Sequence, residues 1–76
     1  MGKIRWLGQS EVEKHYTPVF LKGQTFYVDR RNNFKILRKL SFSKNAQEFR
    51  VEIIDDAPRR NAVSHAYNEL LSKSSR

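Results

Sequence analysis

EFRVEIIDDAPRRNAVSHAYNELL, residues Glu48 to Leu71, changes its period halfway along. In the first part Phe49, Val51 and Ile53 alternate with Glu48, Arg50 and Glu52, the pattern of a strand with one buried face. That strand is expected over Glu48 to Ile54. After Asp55-Asp56-Ala57-Pro58 the apolar positions become Ala62, Val63, Ala66, Tyr67, Leu70 and Leu71, a single stripe of an α-helix. Proline is tolerated in a first helical turn, and acids there complement the positive end of the helix dipole. A strand running into an amphipathic helix implies a helix laid on one face of a sheet.

The upstream segments supply the rest of that sheet. Phe34, Ile36, Leu40 and Phe42 share one parity, so a strand is expected over Phe34 to Phe42. Arg38 breaks the parity, which suggests a bulge or a snorkelling side chain. Val19–Leu21 and Gln24–Asp29 flank Lys22-Gly23 and read as a hairpin, since glycine supplies the positive φ of a tight turn. Arg30-Arg31-Asn32-Asn33 and the SKNAQ segment read as polar turns. Ser10 with Glu13 has capping-box spacing, so a short helix is expected over Glu11 to Tyr16, ended by Thr17-Pro18. Ile4 and Trp6 alternate with Lys3 and Arg5, as in a short strand or an extended arm. A lone Trp in a small chain is expected in the core. The expected fold is α+β: a three- to four-stranded antiparallel meander, a C-terminal amphipathic helix on one face, and a short N-terminal helix or arm. Residues 1–76 read as one small basic domain, with 72–76 as a frayed tail.

Composition narrows the function. The 76 residues carry a formal net charge of +7 and no cysteine. Disulfides and thiolate metal sites are therefore excluded, and His15 and His65 are too few for a zinc site. No cofactor is expected. No apolar run reaches the length of a membrane span, and MGKIRWLGQS lacks the apolar segment of a secretory signal. The expected location is the cytoplasm, nucleoid or nucleus. No nucleophile–base–orienter set and no glycine-rich phosphate loop is visible, so an enzyme is not expected.

Lys22 to Lys44 holds seven basic residues against one acid, which concentrates most of the net charge. If Phe26, Val28, Phe34, Ile36, Leu40 and Phe42 face the C-terminal helix, an open sheet face carries Tyr27, Lys35, Leu37, Lys39 and Arg50. Arg30, Arg31 and Lys44 then stand in loops at its rim. Such a surface suits nucleic acid: cations neutralise phosphates, aromatic rings stack on bases, and Arg or Asn reads base edges. The expected contact set is Tyr27, Arg30, Arg31, Asn32, Asn33, Lys35, Arg38, Lys39, Lys44, Arg50, Arg59 and Arg60. Double-stranded DNA is preferred over RNA as partner. The alternative is an adaptor or inhibitor of the phage- or plasmid-regulator kind that docks its basic face on an acidic protein. For Arg59 and Arg60, ion pairs with Asp55 and Asp56 compete with phosphate binding.

The order helix, three strands, helix resembles the double-stranded-RNA-binding domain, and PRRNAVSHAYNELL is similar to that family's basic, alanine-rich last helix. The resemblance implies phosphate contacts at Arg59 and Arg60 and packing roles for Ala62 and Ala66. DDAP stands where that family has a glycine-rich approach. A three-stranded sheet followed by one helix is also similar to phage-integrase arm-binding domains and to plant domains that read DNA with a sheet. These likenesses imply DNA reading by strands and assign no family.

Overall fold

The change of period at Asp55 is where the sheet ends and the long helix begins. A computed structural model describes residues 3–74, the side chains of Asn33, Phe34 and Ser74 excepted. The elements are β1 (Ile4–Gly8), α1 (Gln9–His15), β2 (Tyr16–Leu21), β3 (Gln24–Asp29), β4 (Asn32–Ser43), β5 (Glu48–Ile53) and α2 (Ala57–Ser74). The fold is α+β, and the sheet has five antiparallel strands in the order β1-β5-β4-β3-β2. The expected meander is β2 to β5. The additional strand is the N-terminal segment, which pairs along β5 from Ile4↔Glu52 to Gly8↔Glu48. Ser72 and Lys73, expected in a frayed tail, lie within α2, and residues 75–76 lie outside the described residues.

The hairpin at Lys22-Gly23 forms as its sequence implies. Both turn residues have positive φ, 51° and 76°, the geometry of a type I′ turn that matches the strands' twist. Helix α1 starts earlier than expected and has no capping box. Its N-cap is Gly8, which has no side chain to make a cap bond, and the Glu13 carboxylate accepts from the Gln9 side-chain amide at 3.2 Å.

Helix α1 joins the two opposite edges of the sheet with no intervening loop. Eight helical steps from Gly8 to Tyr16 span about 12 Å, whereas the edges of a flat five-stranded sheet stand about 19 Å apart. The sheet must therefore curl, with α1 across its concave side. Two cores result. On the α2 side, Val19, Phe26, Val28, Ile36 and Ile54 meet Val63 and Tyr67. On the α1 side, Val12 and Tyr16 meet Tyr27, Leu37 and Val51, with Leu7, Phe49 and Ile53 around them.

This second core corrects the expected facing of the strands. Tyr27 and Leu37 are buried, not displayed on an open face. Phe49, Val51 and Ile53 point to α1, whereas Arg50 and Glu52 share the α2 side of the sheet. Arg38 is not bulged: it stands opposite Phe26 on one side and Glu52 on the other. The register shift lies between Lys39 and Ser41, at Leu40, two residues later. It turns Phe42 to the concave side, where its ring lies 4.7 Å from Phe49. The facing of Phe34 lies outside the described residues. Trp6 is not core: it is 53% exposed on the sheet's convex side, opposite Arg50. Helix α2 packs on β2, β3 and β4 and reaches β5 where Arg59 meets Glu52, while Ile4 and Trp6 on the same side stay half exposed.

Candidate nucleic-acid interface

The fold sorts the expected contact residues into two groups by chemistry. The arginines of the two Arg-Arg pairs, together with Arg38, bond internally. Arg31 holds Asp29 through one bidentate edge of its guanidinium, with Nε–Oδ1 and Nη2–Oδ2 at 3.1 Å. The Arg31 backbone N–H also donates to Asp29 Oδ1 at 2.8 Å, which fixes the β3–β4 turn. Arg30 donates to carbonyls at the end of α1: to Tyr16 at 3.1 Å, to Glu13 at 3.4 Å and to Lys14. Its own N–H donates to the His15 carbonyl at 2.9 Å. Arg30 thus takes up carbonyls that α1 leaves unpaired at its last turn.

A second set lies where α2 begins. Arg38 Nε meets Glu52 Oε1 at 2.9 Å, and Arg59 reaches the same carboxylate at 3.4 Å. Asp56 caps α2 by accepting the Arg59 backbone N–H at 3.2 Å, and it pairs with Arg59 Nε at 2.7 Å. Arg60 donates to the Asp55 carbonyl at 3.1 Å. The expected phosphate clamp at this helix end is therefore a capped and ion-paired terminus. Arginine suits these posts because its planar fork makes several directed bonds at once.

These pairs shift the acids downward. Burial works to raise the Glu52 pKa, but hydrogen bonds from Arg59 and Arg38 outweigh it and hold the carboxyl below the usual range. Asp29 shows the same contest, burial raising it and the Arg31 side-chain and backbone donors lowering it further. Asp56 is lowered chiefly by the Arg59 side chain. All three carboxyls hold protons more weakly folded than unfolded. Their stabilising contribution is complete above the ordinary carboxylate pKa and is lost as pH falls through the lowered folded values. The melting temperature is expected to be flat from neutrality to about pH 5 and to fall steeply below about pH 4. Circular-dichroism melts across that range test this, and Glu52→Gln should soften the acid limb.

The lysines take the opposite course. Among the described residues no lysine forms an ion pair, and of the expected contacts Lys35, Lys39, Lys44 and Arg50 are exposed and lack an acidic partner. Lys35 and Lys39 lie on the concave side, with their ammonium groups 5.9 Å and 5.3 Å from the ring centres of Tyr16 and Phe49. Asn32 is exposed in β4, and the Asn33 side chain lies outside the described residues. Sequence reasoning missed Lys3, Arg5 and Trp6, all exposed on or beside β1. The alternation of Ile4 and Trp6 with two cations was the available signal.

Strand β4 gives the free cations a common location. It has twelve residues against six in β3, and from Lys39 to Ser43 its register is with β5 alone. The β4–β5 hairpin therefore runs past β3 as a ribbon, with β1 along its other side. Lys39 stands on its concave side, Arg50 on its convex side and Lys44 in the turn at its tip. In that turn the Ala46 N–H donates to Ser43 Oγ at 3.3 Å, and the Gln47 carbonyl accepts from the Gln9 N–H at 2.8 Å. Asn45 is exposed at the apex, and Glu48 is the nearest acid along the chain, with Glu13 of α1 beside Ala46 and Gln47.

Among the described residues no three His, Cys, Asp or Glu side chains gather as metal ligands, and no helix is long and apolar enough to cross a membrane. No family model, no curated protein and no solved structure matches the chain.

Proposed function

We propose that the protein binds nucleic acid, preferentially double-stranded DNA, through the tip of the β4–β5 ribbon. The observation that supports this reading is the set of cations without an ion pair on the two faces and in the end turn of one hairpin, Lys39, Arg50 and Lys44. The major groove of B-DNA admits a two-stranded β-ribbon, and the end turn of this hairpin, beyond the Gly8↔Glu48 pair where β1 stops, has that width. Cations on both faces of such a ribbon reach the phosphates of both groove walls, and Asn45 at the apex has the donor–acceptor pair that reads adenine. The half-buried Phe42–Phe49 contact stiffens the ribbon from beneath. The sheet face first expected to bind is replaced in this reading, since Tyr27 and Leu37 form core.

Fluorescence anisotropy on matched duplex DNA, duplex RNA and single strands tests the proposal. Duplex DNA is expected to bind most tightly, with affinity falling linearly in log–log form as salt rises. Equal, weak binding to all forms that vanishes near physiological salt would overturn it and would leave an acidic protein as the partner of this charge.

A further inference from the structure

The two edges of the sheet are finished differently. An edge strand presents unpaired N–H and C=O groups, and proteins usually blunt such edges. On β2 the blunting is complete but for one residue. Leu21 and Gln24 close the two-residue turn, so Leu21, Val19 and Thr17 bond to β3, whereas Phe20, Pro18 and Tyr16 point outward. The Tyr16 N–H donates to the Val12 carbonyl, and its own carbonyl accepts from Arg30 at 3.1 Å. Pro18 has no N–H to offer. Only Phe20 keeps an outward donor.

Strand β1 has no such device. The Ile53 N–H donates to the Lys3 carbonyl at 2.7 Å, and the Gln9 N–H donates to Gln47 at 2.8 Å. The odd residues of β1 therefore bond to β5, and the N–H and C=O of Ile4 and Trp6 point away from it. Both side chains are about half exposed, Ile4 51% and Trp6 53%, on the convex side. Lys3 and Arg5 stand exposed beside them, without an acidic partner among the described residues.

We infer that β1 is an acceptor edge for an extended segment of a partner protein in which acidic residues alternate with apolar ones. Backbone pairing to Ile4 and Trp6 supplies the affinity common to strand addition, and the alternation supplies selectivity. Acidic side chains fall beside Lys3 and Arg5, and apolar ones beside Ile4 and Trp6. A second copy of this chain fits poorly. Antiparallel registers that pair Ile4 with Trp6 or with Ile4 set Arg5 against Arg5 or Lys3, like charges that destabilise a sheet, and the register centred on Trp6 sets Arg5 against Leu7 and leaves both cations without an acid. This inference does not depend on the ribbon's ligand.

A blocked eight-residue peptide of alternating Glu and Val is the probe, and the same peptide with Lys for Glu is the control. Amide exchange measured by NMR on the full chain should slow at least tenfold at Ile4 and Trp6 with the Glu peptide and not with the Lys peptide. Trp6→Pro, which gives β1 the blunting that β2 has, should abolish the effect. Arg5→Glu at an exposed position keeps the test decisive if the proline variant does not fold, and it should weaken the Glu peptide at least tenfold. Equal binding of both peptides would overturn the inference. So would protection confined to other residues, or amides of Ile4 and Trp6 already protected in a self-associated protein by sedimentation.

Discussion

Leu37→Ala is expected to remove more than half of the protein's stability. Leu37 is 1% exposed and sits between Tyr27 on β3 and Ile53 on β5, within the core that α1 closes. Truncating a buried leucine costs about 3 kcal/mol, through lost transfer energy and the cavity left behind. A domain of this size has about 5 kcal/mol in total, and each kcal/mol moves its midpoint by about 4–8 °C. The expected fall is therefore about 15–20 °C, read by circular-dichroism melting. Leu37→Met, which keeps the volume, should cost less than about 1.5 kcal/mol. A fall of only a few degrees for the alanine variant would mean that the concave side is a surface. On an exposed strand face the same change stays within about 0.5 kcal/mol.

That experiment bears on what the sequence could reveal. The helix stripe was legible at Val63 and Tyr67, because a stripe three and four residues apart has one reading. The hairpin was legible because Gly23 sits where a positive φ is needed. The double-sided burial was written as well, but in another form. Phe26-Tyr27-Val28 and Ile36-Leu37 are consecutive apolar residues, and an unbroken apolar run marks a strand covered on both faces. Treating every strand as one-faced put Tyr27 and Leu37 in solvent. The fifth strand was harder to see, because β1 takes its partner from a segment more than forty residues away. The fate of Arg30 was hidden for a similar reason: its acceptors are carbonyls of α1, a whole hairpin earlier in the chain. Charge counts cannot separate an arginine that bonds inward from a lysine that stands free.

The division matters for any account of the charge. A charge run reads as one patch only if its members point the same way. Here Arg30, Arg31 and Arg38 are held by acids or carbonyls, and Lys35, Lys39 and Lys44 are not. In the turn that is richest in arginine Asp29 offsets Arg31, so only Arg30, bonded to neutral carbonyls, keeps its charge there, and the rest of the formal excess of +7 lies elsewhere in the chain. Replacing Arg31 should accordingly disturb folding before it disturbs binding.

Reversing Lys39, Lys44 and Arg50 together to Glu should abolish duplex DNA binding at physiological salt. Each reversal removes two units of charge, so the formal net charge falls from +7 to +1. A loss of affinity alone would not locate the site, because long-range attraction weakens whenever net charge falls. The control is a second triple variant, Lys14→Glu, Lys22→Glu and Lys73→Glu, with the same net charge at exposed positions off the ribbon. If the three ribbon cations contact phosphates, their removal lowers the slope of log affinity against log salt by about 0.9 each, about 2.7 in all. The expected loss for the ribbon variant is about a hundredfold or more at low salt, with the slope reduced. The control should lose affinity modestly and keep its slope, because charges that steer without touching phosphate release no condensed counterions. None of the six side chains is in an ion pair, so both variants should melt within a few degrees of the parent. Equal losses and equal slopes in the two variants would show attraction spread over the whole surface, and the ribbon would then have no special claim to the ligand.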